Sequence, residues 1–133
     1  MSGEEFAWRT AVLVVVNGMV MWLAIKLFDF GNARNRLVAA ILWSIPVSAL
    51  LHAGFWIEAV NPFSLWVARI FHIAAMVIFY GALFKWYDLS AGQMLGVSVA
   101  TVGVDVAAYA VLTELGVLPP FWTAAIAFTL SFV

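Results

Sequence analysis

Two histidines lie inside otherwise apolar stretches of the chain, and their side chains are the ones best suited to chemistry. His52 belongs to the stretch from residue 37 to residue 57, and His72 belongs to the stretch from residue 63 to residue 84. Ionisable residues are rare in such stretches because they are costly to insert in a membrane, so each is a candidate functional residue. Imidazole is an axial ligand of haem iron. One interpretation is therefore a redox protein that holds haem b between His52 and His72.

A transition-metal site is a second interpretation of the same residues. His52 and His72 could share an ion with a carboxylate from Asp105 or Glu58. Three ligands of these types would suit zinc, copper or iron. The pattern is not specific, because no helix carries two of these ligands three or four positions apart.

The composition of the chain indicates whether these residues lie in a membrane or in water. Of 133 residues, 66% are hydrophobic and 10% are charged, and the mean hydropathy is +1.08. Soluble domains are about 45–50% apolar and about 25% charged, so the expected solvent of this chain is a lipid bilayer. A net charge of −1 gives no basis for a nucleic-acid partner. The absence of cysteine excludes disulfides and thiolate metal sites.

Four apolar runs are long enough to cross a membrane. They cover residues 6–28, 37–57, 63–84 and 93–113, and each reaches roughly 30 Å as a helix. Residues 119–133 predict a fifth segment that is short or truncated, since a helix of this length reaches only ~21 Å. The sequence thus predicts an all-α integral membrane protein, with residues 1–133 forming one domain of four transmembrane helices plus a partial fifth.

The basic residues predict how these helices are oriented. Two arginines and Lys26 flank the first connection, and Lys85 lies at the third, whereas Arg9 and Arg69 lie towards the opposite ends of their helices. Basic residues favour cytoplasmic loops. We therefore expect connections 29–36 and 85–92 in the cytoplasm and the N-terminus outside.

Each predicted helix places one strongly polar group in the outer half of the membrane. Counting along the helices puts His52, His72, Asn17 and Asp105 at depths of roughly 8–17 Å, with Arg69 about one turn from His72. If all of them faced inward, they would form a single polar layer. A buried carboxylate must be paired, protonated or hydrated, so Asp105 is the strongest candidate for a functional role.

The fourth helix has two contrasting faces. Its polar face carries Ser98, Thr101, Asp105 and Tyr109 at spacings of three and four. The opposite face, which we call the small-residue face, carries Gly92, Gly96, Ala100, Gly103 and Ala107. Small residues at every fourth position allow close helix packing. We expect this face to contact another chain, a second copy or the fifth segment.

Function is only partly constrained by these features. No nucleophile motif, phosphate-binding loop or dinucleotide fingerprint is present, so an enzyme acting alone is the least supported class. The favoured interpretation is an accessory or structural subunit of a larger membrane complex or homo-oligomer, in contact with lipid and with other membrane protein subunits. The haem or metal redox subunit is the first alternative, and a subunit that moves protons or ions is the second.

Overall fold

The computed structural model describes residues 2–60 and 65–118, and these residues form helices without any strand. The helices are α1 (Gly3–Phe28), α2 (Leu37–Val60), α3 (Leu65–Gly81) and α4 (Ala91–Glu114). A π-helical turn, Ala82–Trp86, prolongs α3. The four resulting helices are long and apolar enough to cross a membrane. The predicted segment 119–133 and the predicted start of the third span at residue 63 lie outside the described residues.

Local sequence signals account for the helix ends. The Ser2 hydroxyl accepts a hydrogen bond from the Glu5 backbone amide at 3.1 Å and caps α1. Ser90 and Gln93 form a reciprocal capping box at the start of α4. After α4, Gly116 adopts a φ of +76°, which glycine reaches without a Cβ clash. The connections are therefore specified locally.

The helices pack in the spatial order α3, α2, α1, α4. Extended interfaces join α2 to α3, α1 to α2 and α1 to α4. One apolar cluster lies towards the 29–36 connection and is built from the ends of α1 and α3 and the start of α4. A second cluster lies towards the other end, where Leu13 and Phe55 meet Tyr109 and Leu118. Between these clusters α3 and α4 share no comparable interface.

The first connection is attached directly to the end of α3. The Asn32 amide donates to the Tyr87 carbonyl at 2.7 Å, and the Arg34 guanidinium donates to the Trp86 carbonyl at 2.8 Å. Carbonyls at a helix end lack partners within the helix, so these bonds satisfy groups that would otherwise need water. The two connections that carry the predicted cytoplasmic charges thus lie at the same end of the protein.

Candidate functional site

Three polar residues of α2 face α1 along one stripe. Ser44, Ser48 and His52 follow one another at intervals of four, so they lie on the same side of the helix. The Ser44 hydroxyl donates to the Val14 carbonyl at 2.7 Å. The Thr10 hydroxyl and His52 Nδ1 lie 2.8 Å apart and share a hydrogen bond. This stripe is a polar seam between two helices, and it lies in the middle part of α2.

His52 is enclosed by α1. Its side chain is fully buried, and its ring stacks on Phe6 with 4.5 Å between centroids and 6° between planes. The hydrogen bond with Thr10 fixes one ring nitrogen. His52 therefore joins α1 to α2 through both stacking and hydrogen bonding.

His72 lies in a different interface, between α3 and α2. Its ring is tilted against Phe55, with 4.5 Å between centroids, and it covers Gly54. A Cβ atom at Gly54 would lie 2.6 Å from the His72 ring, so the glycine provides the space that the imidazole fills. Positions 52 and 54 point about 200° apart on a helix, which separates His52 from the contact surface of His72.

The predicted cofactor ligands do not converge in this geometry. His52 faces α1, His72 packs on α2, and Asp105 lies in α4. Within residues 2–60 and 65–118, no three His, Asp or Glu side chains are arranged to hold a metal ion, and Glu58 completes no such set. The haem and metal interpretations therefore gain no support from the arrangement of these residues.

Asn17 links three helices. Its amide nitrogen donates to the Ser48 hydroxyl at 2.7 Å, and its amide oxygen accepts from the Tyr109 hydroxyl. All three side chains are buried. The sequence predicted Asn17 as a polar-layer residue and Tyr109 as part of the polar face of the fourth helix. The hydrogen bond between them was not predicted and is seen only in the structure. Asn17 thus connects α1 to both of its neighbours.

A cavity of about 100 Å³ lies at mid-depth where α3 and α4 diverge. The side chains around it are mostly apolar, and α1 and α2 supply its floor. They are Asn17, Met21, Ser44, Val47, Leu51, Ala75, Met76, Phe79, Thr101, Val102 and Asp105. The cavity is partly open, and among its lining residues Met76, at 47% exposure, is the one that lies at the surface of the helices. We call this feature the α3–α4 cavity.

Two polar atoms at the α3–α4 cavity have no hydrogen-bond partner among the described residues. They are Asp105 Oδ1 and Thr101 Oγ1, which are both buried and lie one turn apart on α4. The other polar lining residues are already engaged, because Asn17 bonds Ser48 and Tyr109, and Ser44 bonds backbone carbonyls. The unpaired hydrogen-bonding capacity of the cavity is therefore concentrated on α4.

Arg9 is a half-buried basic residue whose environment was not predicted. Its Nε and Nη1 atoms are buried without a hydrogen-bond partner in the described part of the chain, and its guanidinium lies 5.2 Å from the centre of the Trp8 ring. The predicted polar-layer residue Arg69 lies three positions before His72 on α3. The two arginines thus occupy the helix ends opposite the 29–36 connection.

The small-residue face of α4 is largely uncovered. Gly92, Gly103 and Ala107 are exposed. A Cβ atom at Gly92 or Gly103 would meet nothing within 4 Å among the described residues. Gly96 differs, since the Phe28 ring lies against it. Ala100 is partly buried and packs against the first apolar cluster, so the open part of the face is formed by Gly92, Gly103 and Ala107.

The chain matches no family model, no curated protein and no solved structure.

Proposed function

We propose that this protein is a multi-pass membrane subunit that works within a larger assembly, with the small-residue face of α4 as its packing surface. The observation that carries this proposal is the open space beside Gly103, at the centre of an apolar helix. Glycine in a helix interior costs about 1 kcal/mol relative to alanine unless close packing compensates for it. A neighbouring helix would supply that compensation.

Three other helix glycines contrast with Gly103, although Gly81, which precedes the π-helical turn, is open as Gly103 is. Gly18, Gly54 and Gly96 each have a neighbour so close that a Cβ atom would lie 2.4–2.8 Å from it. Those glycines therefore serve contacts within the chain. Gly92 and Gly103 lie in the same kind of helix and have no such neighbour among the residues described. We assign them to a contact between chains, because small residues let membrane helices approach closely.

The orientation we propose places the N-terminus outside and connections 29–36 and 85–92 in the cytoplasm. Lys26, Arg34, Arg36 and Lys85 all lie at the end where the first connection contacts Trp86 and Tyr87. The positive-inside tendency supports a cytoplasmic position for that end. The parts of the small-residue face that would be available to partners are Gly92 at the cytoplasmic end and Gly103 with Ala107 nearer the outer end.

Two matched variants test the assembly. Gly103→Leu adds a bulky side chain where the single chain has room for it, and Val104→Leu changes an adjacent residue that is 51% exposed on another side of the helix. The protein is extracted from its native membrane in polymer-bounded lipid discs, and the mass of the protein in each particle is compared with the single-chain mass of 14.6 kDa.

We expect the unmodified protein and Val104→Leu to exceed the single-chain mass, and Gly103→Leu to fall to it. A gel of the particle then distinguishes a second copy from a different subunit. A single-chain mass for the unmodified protein would contradict the proposal, and so would a Gly103→Leu particle of undiminished size.

A further inference from the structure

The α3–α4 cavity combines a mostly apolar lining with one carboxylate, that of the half-buried Asp105, whose Oδ1 atom is buried. The lining also includes Met21, Met76, Phe79 and Val102. None of its described lining residues is basic. A buried carboxylate oxygen without a partner is unfavourable in such surroundings, whereas a cation beside it would compensate for much of that cost.

We propose that the α3–α4 cavity binds a small apolar ammonium compound, with Asp105 and Thr101 holding the charged nitrogen. An ammonium group is a donor without acceptor capacity, which suits Asp105 Oδ1 and Thr101 Oγ1 as unpaired oxygens. Hydrogen bonds between an ammonium and a carboxylate are charge-assisted and roughly twice as strong as neutral ones. The apolar part of the ligand would lie among the methionine and valine side chains.

The lining favours an organic cation over a bare metal ion. Magnesium, calcium and manganese prefer six or more oxygen ligands, and the cavity offers one carboxylate with three further polar side chains, two of which are already bonded within the protein. An apolar body, in contrast, gains from burial against the remaining side chains. This site lies on the buried side of α4 and is independent of the small-residue face.

The cavity volume limits the ligand. A dry cavity of about 150 Å³ holds benzene, so the volume of about 100 Å³ suits a group of about four carbon atoms. Because the cavity is partly open and Met76 reaches the surface, such a molecule would enter from the membrane and a longer chain would extend outward. Butylammonium is therefore a suitable probe, and 1-butanol is its neutral match in shape.

Methionine methyl groups report occupancy of the site directly. Met21 and Met76 line the cavity, whereas Met19 is 46% exposed on α1 and does not line it. The full chain is labelled with ¹³C at the methionine methyl carbons, purified in detergent and titrated with each probe at neutral pH. Met19 then controls for partition of the probe into the micelle.

We expect saturable shifts at Met21 and Met76 with butylammonium and little change at Met19. The 1-butanol titration should require at least about tenfold more probe, because it lacks the charge-assisted bond. Asp105→Asn, which keeps the shape of the side chain, should weaken butylammonium binding by about the same factor and leave 1-butanol binding unchanged. Thr101→Val should weaken it less.

The comparison of the two probes on the unmodified protein needs no variant, so a variant that fails to fold cannot obscure the result. Equal binding of both probes would overturn the proposal. Equal shifts at all methionines would do so as well, since they would indicate partition into the micelle. Unchanged butylammonium binding in a folded Asp105→Asn protein would also overturn it.

Discussion

Replacing Asn17 by leucine should weaken the packing of three helices at once. The substitution removes the donor to the Ser48 hydroxyl and the acceptor for the Tyr109 hydroxyl, and it keeps a side chain of similar size. Both former partners stay buried, since Ser48 is 0% and Tyr109 is 8% exposed. The cost therefore includes the loss of two hydrogen bonds whose remaining hydroxyl groups stay buried.

The magnitude follows from measurements on helix contacts in membranes. Hydrogen bonds between membrane helices contribute about 0.6 kcal/mol on average and up to about 1.7 kcal/mol. Two such bonds predict a loss of about 1–3 kcal/mol in the free energy of unfolding for Asn17→Leu. Ser98→Ala is the matched control, because the Ser98 hydroxyl donates only to the Met94 carbonyl of its own helix. That control should change the free energy by less than about 0.5 kcal/mol.

Equilibrium unfolding in mixed micelles, with increasing fractions of a denaturing detergent, measures both free energies. A double-mutant cycle then combines Asn17→Leu with Tyr109→Phe, and contacting residues should show a coupling of at least about 0.5 kcal/mol. The proposed role of Asn17 would be refuted if the cycle were additive, or if Asn17→Leu cost no more than Ser98→Ala.

Two further predictions follow from packing and from burial. Gly18→Ala should destabilise the protein by about 1–3 kcal/mol, because the new Cβ would lie 2.8 Å from the Ile41 Cα and would force α1 and α2 apart. Gly103→Ala is the control, because a Cβ there has open space, and it should leave the isolated chain equally stable or slightly more stable. The same detergent titration measures both variants. Burial raises the pKa of Tyr87 to about 12, above its usual 10.0. The unfolded chain therefore loses the Tyr87 proton at a lower pH than the folded chain does, so the free energy of unfolding should fall as the pH rises from about 10 to about 12. Measured over the same pH range, Tyr87→Phe should lack this contribution to the fall.

The sequence predicted the helices well because each one is specified locally. The four apolar runs differ from the observed helices by a few residues at most ends, and caps such as Ser90 with Gln93 explain the added turns. The lengthening of α2 from the predicted residue 57 to Val60 shows that an apolar run underestimates a helix that continues through a polar residue such as Glu58.

The partners of the polar residues were harder to predict than their depth. His52 and His72 have similar depths in the sequence, but the rotation of α2 between positions 52 and 54 assigns their contacts to different interfaces. Depth depends on the count of residues along one helix, whereas convergence depends on how neighbouring helices are rotated. Residues such as Thr10, which pairs with His52, carry no recognisable signal before the packing is known.

These contacts move the expected functional element from the histidines of α2 and α3 to α4. The described contacts of the histidines, with Thr10, Phe6, Gly54 and Phe55, join helices of one chain. In α4, by contrast, the two open features lie on opposite sides, with Gly103 facing outward and Asp105 facing the α3–α4 cavity. Both proposals thus require a partner for α4 that the rest of the described chain does not supply. Because these features lie on opposite sides of α4, Gly103→Leu should lower the mass of the particle and leave the butylammonium-induced shifts of Met21 and Met76 unchanged.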